Sequence, residues 1–235
     1  MNDIEPPATR YADAPAAAHE LALRIARLLT TAIAVRGRAS LVVSGGTSPI
    51  ALFEALRTRP LDWTRVSITL ADERWVDLAD PGSNEKLVRE HLLRDAAADA
   101  HFVGLKTAAE TPELGAIAAW ELIAGLPRPF DALILGMGDD GHTASLFPDS
   151  PQLARAIDPE APPGCIGMIS PTAPRARLSL NLAALLDSRQ LFLLLSGESK
   201  WQVYVAASAP GPPADMPVRA ILRQRRAPLD VIWSP

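Results

Sequence analysis

The sequence predicts an α/β fold, a single domain with a mostly parallel, Rossmann-like sheet flanked by helices. Apolar runs such as Leu133-Ile134-Leu135 and residues 191 to 195 are too short for ordinary helices and suit strands covered on both faces. Between the runs lie segments whose apolar residues recur at helical spacing. The runs end repeatedly in glycine-rich or charged loops, and strands that alternate with helices build parallel sheets.

The elements follow in order. Leu21, Ile25, Leu28, Leu29 and Ala32 share a helical face, and Gly37 is the stop signal. Residues 39 to 44 read as a buried strand, followed by Gly45, Gly46 and a helix from about Ser48 with Pro49 in its first turn. A strand over 66 to 71 ends at Asp72-Glu73-Arg74. Ser83 suits the cap of a helix running to about residue 94, 102 to 103 form a brief strand, and Thr111-Pro112-Glu113 opens another helix. The run 130 to 135 is a strand. Residues 148 to 174 form a proline-rich loop holding a strand at 165 to 169. Strands at 178 to 180 and 191 to 195, a helix over 198 to 207, a structured loop or lid at 209 to 217 and a last strand at 229 to 233 complete the chain. No internal repeat or linker interrupts it, so residues 1–235 are expected to form one domain.

With 235 residues, of which 48% are hydrophobic, the chain can bury a substantial core. A net charge of −4 argues against nucleic acid or an anionic membrane as the main partner, so an anionic substrate needs locally clustered cations. Cys165 is the only cysteine, which rules out an intramolecular disulfide and suits a reducing cytoplasm. It is expected to be a buried small hydrophobe rather than a nucleophile. The N-terminal MNDIEPPATRYADAP lacks the basic start and apolar core of a signal peptide, and no apolar span is long enough for a bilayer. Histidines at 19, 91, 101 and 142 have no metal-ligand spacing, so no metal is expected.

The densest chemistry lies in FDALILGMGDDGHTASLFP, residues 130 to 148. A buried strand stops at a loop holding Asp139, Asp140 and His142, at the sheet edge where open α/β folds bind ligands. GMGDDG formally satisfies the dinucleotide pattern G-x-G-x-x-G, but two aspartates would repel a pyrophosphate, and residues 142 to 148 read as loop rather than helix. Two other strand ends join it. Ser44-Gly45-Gly46-Thr47-Ser48-Pro49 can offer backbone N–H groups and hydroxyls to an anion at a helix start, without the lysine or spacing of a Walker loop. Asp72-Glu73-Arg74-Trp75 places a guanidinium beside carboxylates, with Glu73 expected to be solvated, and Lys200 of Gly197-Glu198-Ser199-Lys200 stands in a helix's first turn, where a phosphate ligand would suit it.

SGGTSP, ADERWVDLADPGSNEKLVREHLL and GMGDDGHTASLFP, in this order and with the weaker GESK and PVRAIL, resemble the 6-phosphogluconolactonase family over about residues 40 to 222. The resemblance implies a glucosamine-6-phosphate deaminase-like α/β fold and hydrolysis of 6-phosphogluconolactone in the pentose phosphate pathway, without a cofactor. It further implies His142 as general base, Asp72 and Arg74 lining the site, and a phosphate pocket of Gly45, Gly46 and Thr47 with Lys200 and Arg219. To these the chemistry adds Asp140 as orienter of the imidazole, Arg74 as oxyanion partner, and Ser44 and Ser48 in the anion cradle, while the division of phosphate and oxyanion duties among Arg74, Lys200, Arg177 and Arg219 stays open. A small phosphosugar lactone is thus the expected partner, and a monomer is compatible with the sequence. Here the family's usual SGGSTP has its two hydroxyl residues exchanged, and the C-terminal APLDVIWSP is short.

Two alternatives stand beside this reading. Glucosamine-6-phosphate deaminases carry a related loop that continues into an AFNEP-like sequence, whereas Phe147 stands here where that glutamate would be. A non-catalytic phosphosugar-binding module would keep the phosphate cradle and degrade the acid/base loop, yet His142 and Arg74 are both present.

Overall fold

The computed structural model describes residues 6–235. Residues 1–5, part of the segment read above as lacking a signal peptide, lie outside them. The strands are β1 (Thr9–Arg10), β2 (Ala39–Val43), β3 (Val66–Leu70), β4 (Asp72–Arg74), β5 (His101–Val103), β6 (Ala132–Leu135), β7 (Cys165–Ile169), β8 (Ala176–Leu180), β9 (Leu191–Ser196) and β10 (Leu229–Ser234). The helices are α1 (Ala14–Arg36), α2 (Ile50–Leu56), α3 (Asn84–His91), α4 (Pro112–Ala124), α5 (Leu153–Ala156), α6 (Leu182–Leu186), α7 (Glu198–Ser208) and α8 (Val218–Arg223). Among the described residues no helix is long and apolar enough to cross a membrane.

Seven strands form one sheet in the order β1-β10-β9-β6-β2-β3-β5, and every pairing in it is parallel. β2 and β6 are buried throughout, and Phe53, Phe130 and Phe192 fill the core without solvent exposure. That is the two-sided cover their unbroken apolar runs require, and each fully buried leucine or phenylalanine is worth roughly 1.5–3 kcal/mol. The helix signals act locally as expected. Gly37 ends α1 with a left-handed φ of 73°, Ser83 caps α3 by accepting from the Lys86 N–H, and Thr111 caps α4 by accepting from the Leu114 N–H. α2 departs from expectation, because Pro49 precedes the helix rather than joining its first turn and no side chain caps it.

A second, three-stranded antiparallel sheet, ordered β4-β8-β7 and not anticipated from the sequence, takes up the strands expected at 165 to 169 and 178 to 180. Ala71 makes a last contact with the main sheet through its N–H to Val43. The chain then leaves, since Asp72, Glu73 and Arg74 cannot enter a core that is apolar on both faces. The short elements β1, α5, α6 and α8 were not expected either. Cys165 lies half-buried on β7, where burial pushes its thiol up to about 12, so it is a poor nucleophile as anticipated.

Strand order reverses between β2 and β6. β3 and β5 lie on one side of that boundary and β9, β10 and β1 on the other, leaving a crevice at the carboxyl ends of the two central strands.

Candidate active site

The loops after β2 and β6 open on that crevice, a cleft of about 360 Å³. Ser44, Gly45, Gly46, Thr47 and Ser48 line it from β2, His142 from the loop after β6, Asp72 and Arg74 from β4, and Lys200 from the first turn of α7. Ser44 is not free to offer its hydroxyl, which donates to the Ile134 carbonyl at 2.9 Å and ties β2 to β6 at the strand-order reversal. The exposed Thr47 and Ser48 carry no such duty, and no side chain caps α2.

His142 is held from two sides. Asp140 accepts from the His142 backbone N–H at 3.0 Å and lies 2.5 Å from Nδ1. An ionised carboxylate can only accept, so Nδ1 carries the proton and Nε2 keeps the lone pair. Burial alone would raise the Asp140 carboxyl, but the imidazole and backbone hydrogen bonds, and the ring's charge whenever it is protonated, hold it below the usual carboxylate range. Gly138 has to be glycine because a Cβ there would stand 2.0 Å from Nδ1. Phe147, nearly buried, covers the imidazole with ring centroids 4.4 Å apart.

The opposite wall is built from buried charge. Glu73 is 1% exposed and accepts from the backbone N–H groups of Arg74, Asn84 and Glu85, each at 2.7 Å, and from the Ser83 hydroxyl. The expected solvated Glu73 is thus corrected to an internal clamp on the positive end of α3. Burial pushes its carboxyl above the usual range despite these donors. The Asp72 carboxylate accepts from the Ser145 hydroxyl at 2.5 Å. Arg74 donates to the Gly82 carbonyl at 2.6 Å and faces Arg177 across the β4–β8 ladder. Burial, then the charge of Arg74, lowers Arg177 against the pull of Asp72 and Glu73, yet a guanidinium stays charged. Like charges directly opposite on a ladder are unfavourable, and an anion between the two guanidiniums would relieve that repulsion.

Lys200 pairs with the exposed Asp139 at 2.6 Å. Arg219 is not brought to the cleft. It is 7% exposed, and its three nitrogens donate to the carbonyls of Ala206, Ala207 and Pro212, tying the last turn of α7 to the 209–217 loop. Sequence reasoning named Arg177 among the cations whose division of labour stayed open and assigned no role to Asn84, Ser145 or Ser170; all four lie at or beside the cleft. For Arg177 a signal existed: in Ala176-Arg177-Leu178-Ser179-Leu180 the arginine and serine alternate with leucines, as on a half-polar strand.

The model of a family described as glucosamine-6-phosphate isomerases/6-phosphogluconolactonase matches residues 12–233. A 6-phosphogluconolactonase from Pseudomonas aeruginosa is 48% identical over 218 residues, covering 93% of this chain and 90% of the relative. Another from Rhizobium meliloti is 46% identical over 220 residues, covering 94% and 95%. Among solved structures, a 6-phosphogluconolactonase from Shewanella baltica superposes with a TM-score of 0.94 at 46% identity over 99% of both chains. A monomeric glucosamine-6-phosphate deaminase, 16% identical with a TM-score of 0.78 over 97% of both chains, shares the fold. With the matched region running from the first helix to the last strand and taking in every cleft loop, the chain belongs to the glucosamine-6-phosphate isomerase/6-phosphogluconolactonase family.

Proposed function

We propose that this chain, acting as one domain in the cytoplasm, hydrolyses 6-phospho-D-glucono-1,5-lactone to 6-phospho-D-gluconate in the oxidative pentose phosphate pathway. The observation that carries the reading is the His142–Asp140 pair in the same cleft as two facing guanidiniums. Nε2 of His142 takes a proton from water, and the resulting hydroxide adds to the lactone carbonyl. Arg74, with Arg177 beside it, stabilises the oxyanion. Collapse breaks the bond to the ring oxygen, which receives the proton from His142, so one water is consumed and the imidazole ends as it began. Asp140 keeps the ring in the required tautomer. The phosphate, held by residues 44 to 48 and by Lys200 once it turns from Asp139, supplies binding energy remote from the reacting carbonyl.

Phe147 favours this reaction over sugar-phosphate deamination, because it puts an apolar ring against His142 where the deaminase chemistry uses an acid. The intact pair of His142 and Asp140 likewise argues against a binding-only module. The test is the opening of freshly generated 6-phosphogluconolactone, corrected for spontaneous hydrolysis. The wild-type rate is expected to exceed the spontaneous one, and His142→Ala to lower kcat by ~10²–10⁴-fold. A wild-type rate equal to the spontaneous rate sinks the activity; full activity in His142→Ala sinks only the role of the histidine.

A further inference from the structure

Arg177 is 7% exposed and lines the cleft, yet among the described residues its guanidinium makes no hydrogen bond or ion pair, and its Nε is buried without a partner. A charge held largely out of water is costly when unpaired, so a carboxylate within reach should claim it. One stands close by. The register of the small sheet sets Asp72 opposite Ser179 and Arg74 opposite Arg177. Side chains alternate between the faces of a sheet, so these four share one face, while Glu73 and Leu178 belong to the other. Asp72 and Arg177 are therefore diagonal neighbours, a spacing of roughly 7–8 Å that a long side chain can bridge.

The Asp72 carboxylate is held elsewhere. Ser145, which has no solvent exposure, donates its hydroxyl to Oδ2 of Asp72 at 2.5 Å. The Ser145 N–H donates to the Ser179 hydroxyl oxygen at 3.3 Å, which seats the loop after β6 on the same face of the small sheet. Ser179 gives its own hydroxyl to the Leu180 carbonyl at 3.0 Å and so leaves the carboxylate to Ser145. A short hydrogen bond to an ionised oxygen is about twice as strong as a neutral one and can restrain a buried carboxylate beside a guanidinium.

We infer that Ser145 is a positioning residue, one that anchors the Asp72 carboxylate and thereby keeps Arg177 unpaired for the phosphosugar lactone. The inference rests on the lactonase reading and deepens it. Ser145 lies three residues past His142, so a single loop carries the base and keeps a cation of the opposite wall available. Without that hydroxyl, Asp72 turns to Arg177, and the substrate has to displace a carboxylate before it meets the guanidinium.

The test is a double-mutant cycle on the full chain: wild type, Ser145→Ala, Arg177→Gln and the pair, read as kcat/KM on 6-phosphogluconolactone with spontaneous opening subtracted. Ser145→Ala alone is expected to lose at least ~10-fold, the scale of one hydrogen bond to a charged group. Beside Arg177→Gln the same substitution should cost less than ~2-fold, because no guanidinium remains to be captured. A serine that served only packing would cost the same factor in both backgrounds. Ser145→Cys, close in size but a weak donor, replaces the alanine variant if that variant does not fold and should show the same dependence on Arg177. Equal losses in the two backgrounds, or no loss in Ser145→Ala, overturn the inference and leave the lactonase reading standing. A wild type no faster than spontaneous opening overturns both.

Discussion

The two sheets of this molecule bury opposite things. The seven-stranded parallel sheet buries leucine, isoleucine, valine and phenylalanine on both faces, and its polar positions gather at the strand ends. The three-stranded antiparallel sheet buries Asp72, Glu73, Arg177 and Ser179 among its apolar residues, with Asp72 and Arg177 lining the cleft and Glu73 turned to the start of α3. Apolar burial stabilises wherever it occurs, whereas buried charge costs free energy unless it is paired or awaits a ligand. The apolar sheet thus gains stability from what it buries, whereas the small sheet carries the cost of burying charge beside the cleft.

The largest expected effect breaks the comparison from the apolar side. Phe192→Ala on β9 removes a fully buried ring and should cost ~3–5 kcal/mol in denaturant unfolding, while the folded fraction retains its kcat. Arg177→Gln attacks the other sheet. It should lower kcat/KM ~10²-fold, about 2.7 kcal/mol, with less than ~1 kcal/mol change in unfolding, because lost attraction to Asp72 and Glu73 is offset by relief from Arg74. An unfolding loss as large as that of Phe192→Ala would mean that the small sheet is structural after all.

The third prediction concerns acid. Because the folded Asp140 carboxyl lies below its unfolded value, its contribution to stability is present above the usual carboxylate range and fades as pH falls through the lowered value. Thermal melts of wild type and Asp140→Asn should therefore differ above the usual carboxylate range and converge as pH falls below it. A gap that widens on acidification contradicts the assignment. The smallest effect belongs to Ala144, two residues past His142, whose φ of 48° is left-handed. Ala144→Gly should raise unfolding stability by about 0.5 kcal/mol, strain relief being partly cancelled by the glycine's freer unfolded chain.

The same contrast explains what could be read from the sequence. Strands β2, β6 and β9 were legible because two-sided burial writes itself as an unbroken apolar run, and His142 because its loop must follow such a strand. The excursion of Asp72–Arg74 into a second sheet was not, since its partner strand begins about a hundred residues later and nothing local specifies the pairing. The position of Arg177 opposite Arg74 was hidden for that reason. Arg219 misled in another way: a motif can place a guanidinium in a segment, but only the packed chain determines that three carbonyls claim it before any phosphate can.

The half-buried Cys165 has a practical consequence. With burial pushing its thiol up to about 12, the thiolate is scarce at neutral pH, so wild type is expected to react slowly with maleimides and other thiolate-directed probes. A cysteine placed at the exposed Asp215 would then be the one reactive sulfur in the protein. A fluorophore on it would report directly on the 209–217 loop as ligand enters the cleft, without first engineering a cysteine-free background.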